Sequence, residues 1–106
     1  MRTWYLSLKA DDQLNTLLAQ GRKHYSAALI MEKKDRVFLA LRALARLPEN
    51  FEQAYPRDAR LGLYRYSVAD TPFVLYFAIS PTDVRIELIL HKNADRLAYG
   101  QEVTDW

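Results

Sequence analysis

The stretch GLYRYSVADTPFVLYFAISPTDVRIELILH, residues 62–91, decides the fold. It holds three runs rich in β-branched and aromatic residues: GLYRYSVA (62–69), PFVLYFAI (72–79) and DVRIELILH (83–91). Only Asp70-Thr71 and Ser80-Pro81-Thr82 part them, punctuation of the kind that reverses a chain. Two consecutive hairpins are expected. If tight turns set the register, residues whose numbers sum to about 141 pair in the first hairpin and about 163 in the second. With a side-chain period of two, Tyr64, Tyr66, Val68, Phe73, Leu75, Phe77, Ile79, Val84, Ile86, Leu88 and Leu90 then share one face, the expected core side. The opposite face is mixed. Arg65, Tyr76 and Glu87 form one expected row across it, Ser67, Val74 and Ile89 another, and Leu63, Ala78 and Arg85 a third. His91, odd-numbered, is expected to face this mixed side and to close the last strand where burial ends.

Upstream, RTWYL (2–6) is rich in β-formers and stops at Ser7, placed to cap a helix. Leu14, Leu17 and Leu18 recur at i, i+3, i+4, Asp11 and Asp12 sit near the positive end of the helix dipole, and Gly21 offers a stop. The spacing predicts a helix over 8–20. A second helical pattern runs from about His24 to Leu47, with Val37, Leu41, Leu44 and Ala45 on one side and Phe38 beside them, until Pro48 ends it. Its turn EKKDR (32–36) is polar all round and expected to be exposed or kinked. PENFEQAYPRDAR (48–60) keeps no period and contains two prolines, so it reads as a loop. The short link after Gly21 makes the two helices an antiparallel hairpin whose apolar stripes need a sheet. The expected fold is α+β: a strand, a helix hairpin, a three-stranded antiparallel meander, and a short C-terminal helix or tail.

With 106 residues, half of them hydrophobic, the chain suits a single domain over 1–106. The absence of cysteine excludes disulfides, thiolate metal sites and thiol nucleophiles, and favours a reducing cytoplasm. No window approaches the roughly 18 apolar residues of a membrane span, and MRTWYLSLKADD lacks the pattern of a signal peptide. Fifteen Lys plus Arg against 13 Asp plus Glu leave a net charge of +2, too mild to announce a nucleic-acid binder. His24 and His91 stand far apart with no acid cluster at ligand spacing, so no metal site is expected. No glycine-rich phosphate loop or serine elbow is present, and no cofactor is expected.

Several segments, in order, resemble the RelE/ParE superfamily of type II toxin-antitoxin systems, most closely its ParE branch. YLSLKADDQL (5–14) is similar to the family's strand-to-helix opening, and ALRALARLPENF (40–51) to the end of its second helix. RLGLYRYSV (60–68), VLYFAI (74–79) and IELILHKNAD (86–95) are similar to its sheet strands, the last ending in Ile-Leu-His and a following Asp. The resemblance covers nearly the whole chain. It implies the toxin of a plasmid-stabilisation module, inhibiting growth by binding DNA gyrase and neutralised by a cognate antitoxin. The alternative it carries is a RelE-like nuclease that cuts messenger RNA on the ribosome.

The residues weigh these two readings. Cleavage through a 2′-hydroxyl needs a base, an acid and cations converging on one phosphate, and His91, Arg65, Arg85 and Glu87 are the candidates. Against this, the central-strand arginine of such nucleases falls at or beside Phe73, and only Arg57 and Arg60 precede the meander. The plainer alternatives are a strand-end histidine, a cross-strand salt bridge around Tyr76, and solvated charges at Arg60, Arg85, Lys92 and Arg96. For the binding reading, resemblance makes His91, Lys92, Asp95, Arg96 and Trp106 the candidate target-facing set. Leu17, Leu18, Leu63, Arg65, Val74, Tyr76 and Ile89 form the candidate antitoxin surface, expected to lie on the sheet's open face and the groove beside the helices.

Overall fold

Ser7 sets the first boundary. The strand β1 (Thr3–Leu6) gives way there to helix α1 (Leu8–Gly21), because the Ser7 hydroxyl accepts the otherwise orphaned N–H of Ala10 at 2.9 Å. The computed structural model describes residues 2–47 and 50–93. The α1 helix ends at Gly21 as its sequence suggests, although the chain leaves through Arg22 in right-handed conformation. Helix α2 (Ala27–Leu44) is shorter at both ends than the apolar pattern predicts. Ser26 caps it by accepting the Leu29 N–H at 3.2 Å, and residues 22–25 are spent on the reversal between the helices. The polar turn EKKDR neither kinks nor stands idle. Lys33 Nζ donates to the Asp70 carbonyl, and the Arg36 guanidinium lies 3.5 Å from the Asp70 carboxylate, so this turn ties α2 to a reversal in the sheet.

The segment expected to be a loop contains two short elements, α3 (Phe51–Ala54) and β2 (Arg57–Asp58). The meander follows as β3 (Leu63–Ser67), β4 (Phe73–Ile79) and β5 (Asp83–His91). All five strands form one sheet in the order β1-β5-β4-β3-β2, with β1 parallel to β5 and the other neighbours antiparallel. The positive φ of 60° at Asp70 suits a short polar side chain in the β3–β4 reversal. The α+β architecture of a helix hairpin on a meander is therefore as expected; a C-terminal helix or tail lies outside the described residues.

The first hairpin pairs as expected, with Tyr64 opposite Phe77 and Arg65 opposite Tyr76. The second begins as expected, with Ile79 opposite Val84 and Phe77 opposite Ile86, and then slips. Tyr76 faces Leu88, Leu75 faces Ile89, and Phe73 faces His91, a shift of one residue that leaves Glu87 as a bulge. One extra residue exchanges the faces of everything beyond it. Leu88 and Leu90, expected in the main core, lie on the other side of the sheet, while Ile89 and His91, expected outside, turn toward the helices.

The main core joins Leu14, Leu17 and Leu18 of α1 and Ile30, Val37, Leu41 and Leu44 of α2 to Phe73, Leu75, Phe77, Val84, Ile86 and Ile89 of the sheet. Each such side chain contributes about 1.5–3 kcal/mol by leaving water. Trp4 meets Phe38 edge to face at 6.1 Å, fixing β1 under α2. On the opposite face Val74, Tyr76, Leu88 and Leu90 form a second, smaller cluster flanked by Leu61 and Leu63. No described helix is long and apolar enough to cross a membrane.

Candidate functional site

The bulge in β5 is held in place by the start of α1. Strand β1 pairs with β5 only as far as Ile86, where the Ser7 N–H donates to the Ile86 carbonyl at 2.9 Å. Past that point α1 takes over the edge. The Ser7 hydroxyl donates to the Glu87 carbonyl at 3.0 Å, and the Gln13 side-chain oxygen accepts the Ile89 N–H at 2.9 Å. Two backbone groups that a regular ladder would leave unpaired at the bulge are thereby satisfied. Neither partner was singled out for this from sequence. Ser7 reads as a cap alone, and Gln13 is a polar residue on a helix with no distinguishing spacing.

This anchoring separates the residues proposed for RNA cleavage. Arg65 is exposed on the face away from the helices and makes no ion pair among the described residues. Arg85 and Glu87 lie 3.9 Å apart at the bulge, a largely solvated pair worth about 0–1 kcal/mol. His91 lies opposite Phe73, only 2% exposed, on the helix side. Its Nδ1 accepts the Asn93 N–H at 3.1 Å, which requires that nitrogen to be unprotonated. The expected placement of His91 on the same mixed face as Arg65 is thus corrected: the two point to opposite faces of the sheet. The expected row Arg65, Tyr76, Glu87 becomes Arg65, Tyr76, Leu88.

The residues proposed for partner binding divide as well. Leu17 and Leu18 lie wholly within the main core rather than at its margin, because α1 presents them squarely to the sheet. Ile89 joins them there through the bulge. Val74 and Tyr76 do lie on the far face but are 3% and 6% exposed, so the second cluster is closed. Leu63 is half-buried at its rim, and Arg65 is open to solvent. Lys92 is exposed just past the strand, its N–H bonded to the Pro72 carbonyl at 2.7 Å. Asp95, Arg96 and Trp106 lie outside the described residues.

What the far face offers is a hollow of ≈ 400 Å³ between Leu61, Leu63 and Ala78 on one side and Ser7, Lys9, Glu87 and Leu88 on the other. Its floor is apolar and its rim carries one cation and one carboxylate, a lining suited to a partner's side chain. Among the described residues no three His, Asp or Glu side chains gather as metal ligands. An aromatic chain runs along the helix side of the sheet: Phe51 meets Tyr64, Tyr64 stacks on Phe77, and Tyr55 touches both Phe77 and Tyr66. Partial burial, with Tyr66 nearby, pushes the Tyr55 hydroxyl above its ordinary pKa of 10.0.

No family model matches the chain, and no curated protein matches it by sequence. Among solved structures, a chain of the chromosomal ParDE TA system from P. aeruginosa superposes with a TM-score of 0.71 at 14% identity, covering 86% of this chain and 96% of that one. At that identity the likeness concerns architecture: strand, helix hairpin and meander are shared in fold.

Proposed function

We propose that the chain is a ParE-like toxin of a type II toxin-antitoxin module, acting in the cytoplasm by binding DNA gyrase and neutralised by a cognate antitoxin. The observation that carries this choice over messenger cleavage is the bulge at Glu87, which buries His91 behind the sheet and leaves Arg65 on the other side. A transesterification site needs its base and its cations within hydrogen-bond reach of one phosphate. Groups on opposite faces of a sheet do not meet there. The likeness in fold to a ParDE chain supports the reading, and fold alone does not choose between targets. Arg65, Leu63 and Lys92 are the exposed or half-exposed members of the surfaces assigned to partners, with Asp95, Arg96 and Trp106 completing the target-facing set.

The test pairs two assays. Purified chain should inhibit gyrase supercoiling in a dose-dependent way and leave ribosome-bound message intact by primer extension. Unchanged supercoiling at saturating protein, or transcript cleavage abolished by Arg65→Ala, would overturn the proposal.

A further inference from the structure

The two ends of the sheet differ in how they meet solvent. On one side the outermost strand, β2, has only two residues, both charged, and follows Pro56. On the other side β1, TWYL, carries no charge, no proline and no bulge, the devices that usually keep an edge from pairing. Its backbone parity is set by β5. The Thr3 N–H donates to the Thr82 carbonyl at 3.0 Å and the Ser7 N–H to the Ile86 carbonyl at 2.9 Å, so the odd-numbered residues face β5. The N–H and C=O of Trp4 and Leu6 therefore point away, with no strand beside them and no hydrogen bond among the described residues. Arg2 points the same way, but its N–H is held by the Ala45 carbonyl at 2.9 Å. Apolar surface flanks this edge: Tyr5 is 49% and Leu8 88% exposed, and Trp4 and Leu6 are only half-buried.

An antiparallel strand that satisfies this edge must present two residues, two apart, with their own backbone groups pointing at it. TWYL presents just that to its own copy. With Trp4 opposite Leu6 and Tyr5 opposite Tyr5, every outward group of both strands is used. Slipping the register by two residues would require either the Arg2 N–H, already bonded to Ala45, or a strand at Leu8, already helical. We infer that two copies of the chain join β1 to β1 in this register, about a two-fold axis between the paired Tyr5 side chains, so that one sheet runs through both. Trp4 packs toward the helices on Phe38, so Tyr5 lies on the far face beside Arg85. Across the junction the row reads Arg85, Tyr5, Tyr5, Arg85. The tyrosines pair, and the two arginines stand three strand spacings apart, about 14 Å, beyond the roughly 8 Å over which charges act at physiological salt. On the helix side each half-buried Trp4 covers the Leu6 of the other copy. Four residues a side fall well short of the roughly 20–30 of a standard interface, so the dimer forms and dissociates with concentration. The inference stands whether or not gyrase is the target.

The test is sedimentation equilibrium of the full chain from micromolar to millimolar concentration, with amide exchange followed residue by residue over the same range. A monomer–dimer equilibrium is expected, and exchange at Trp4 and Leu6 should slow tenfold once nine-tenths of the chain is dimeric. Exchange at Tyr5, whose N–H faces β5, should not change with concentration. Tyr5→Lys sets two ammonium groups against each other at the axis and should weaken dimerisation at least tenfold, whereas Tyr5→Phe should preserve it; the exposure of Tyr5 leaves the monomer's unfolding midpoint at micromolar chain unaltered in both. A single monomeric mass up to millimolar chain would overturn the inference. So would a dimer in which exchange at Trp4 and Leu6 is independent of concentration, or a Tyr5→Lys chain that dimerises as well as the parent.

Discussion

Replacing His91 by alanine separates a structural from a catalytic histidine. The imidazole is 2% exposed and faces the helices opposite Phe73, and its Nδ1 accepts the Asn93 N–H at 3.1 Å. Losing one hydrogen bond costs about 0.5–1.5 kcal/mol. Emptying a ring-sized volume in a packed core adds a cavity cost, and buried large-to-small changes span about 2–5 kcal/mol. The imidazole, being partly polar, belongs at the low end, so about 2–3 kcal/mol is expected in total. A domain of this length holds about 5–15 kcal/mol, so the variant still folds. With a urea slope of about 1–3 kcal/mol/M, its midpoint should fall by roughly 1–2 M at unchanged slope. Arg65→Ala, on the exposed face, should stay within about 0.5 kcal/mol of the parent. If His91→Ala proves equally silent in urea, the histidine is at the surface, the β5 bulge is wrong, and the argument against a nuclease falls with it.

Gln13→Leu deprives the Ile89 N–H of its acceptor, so a loss of about 1–3 kcal/mol with faster exchange at Ile89 is expected; unchanged exchange would remove Gln13 from the anchor. Asp70 occupies left-handed backbone, and there Asp70→Gly should be nearly neutral while Asp70→Val loses about 1–2 kcal/mol. Equal denaturation midpoints for those two variants would contradict the reversal described. For Tyr55, whose folded pKa is raised, the folded chain holds its proton more tightly than the unfolded one. Its stabilisation is therefore complete below the ordinary pKa of 10.0 and lost as pH rises through the folded value. Tyr55→Phe should accordingly weaken the alkaline loss of stability measured in urea between pH 8 and 11, and an unaltered pH slope would refute that assignment.

Most of the architecture was legible because its signals are local. Ser7 caps, the Leu14–Leu18 spacing selects a helix, and two polar reversals partition three apolar runs. The bulge was not legible, for a reason visible in the residues themselves. After Glu87 the chain reads Leu88, Ile89, Leu90, so both phases of a period of two are apolar and neither register is penalised. The choice is made by partners 76 and 80 positions away, Gln13 on Ile89 and Ser7 on Glu87, which no local pattern contains. Strand β2 was hidden in a similar way. Two residues between Pro56 and a turn give no period, and their strand character comes from Tyr64 and Leu63 across the ladder. The candidate site inherited the error, since each residue beyond the bulge was assigned to the wrong face.

That error is also where fold and function meet. A meander with a continuous register would turn His91 to the same face as Arg65, Arg85 and Glu87, the side on which a phosphodiester-cleaving set was expected. The extra residue at Glu87 exchanges this for two separate apolar clusters, one on each side of the sheet, and for a histidine spent on packing and on turning the chain at Asn93. What remains accessible is the outer edge of β3 at Ser67, a largely apolar groove along α2 with Arg36 at one end, and a hollow rimmed by Lys9 and Glu87. Edges and grooves of this kind are suited to recognising another chain through hydrogen bonds and complementary side chains. Disruption of the Gln13 anchor should therefore lower stability and partner affinity together, because the same helix start that holds the bulge also sets which residues β5 presents.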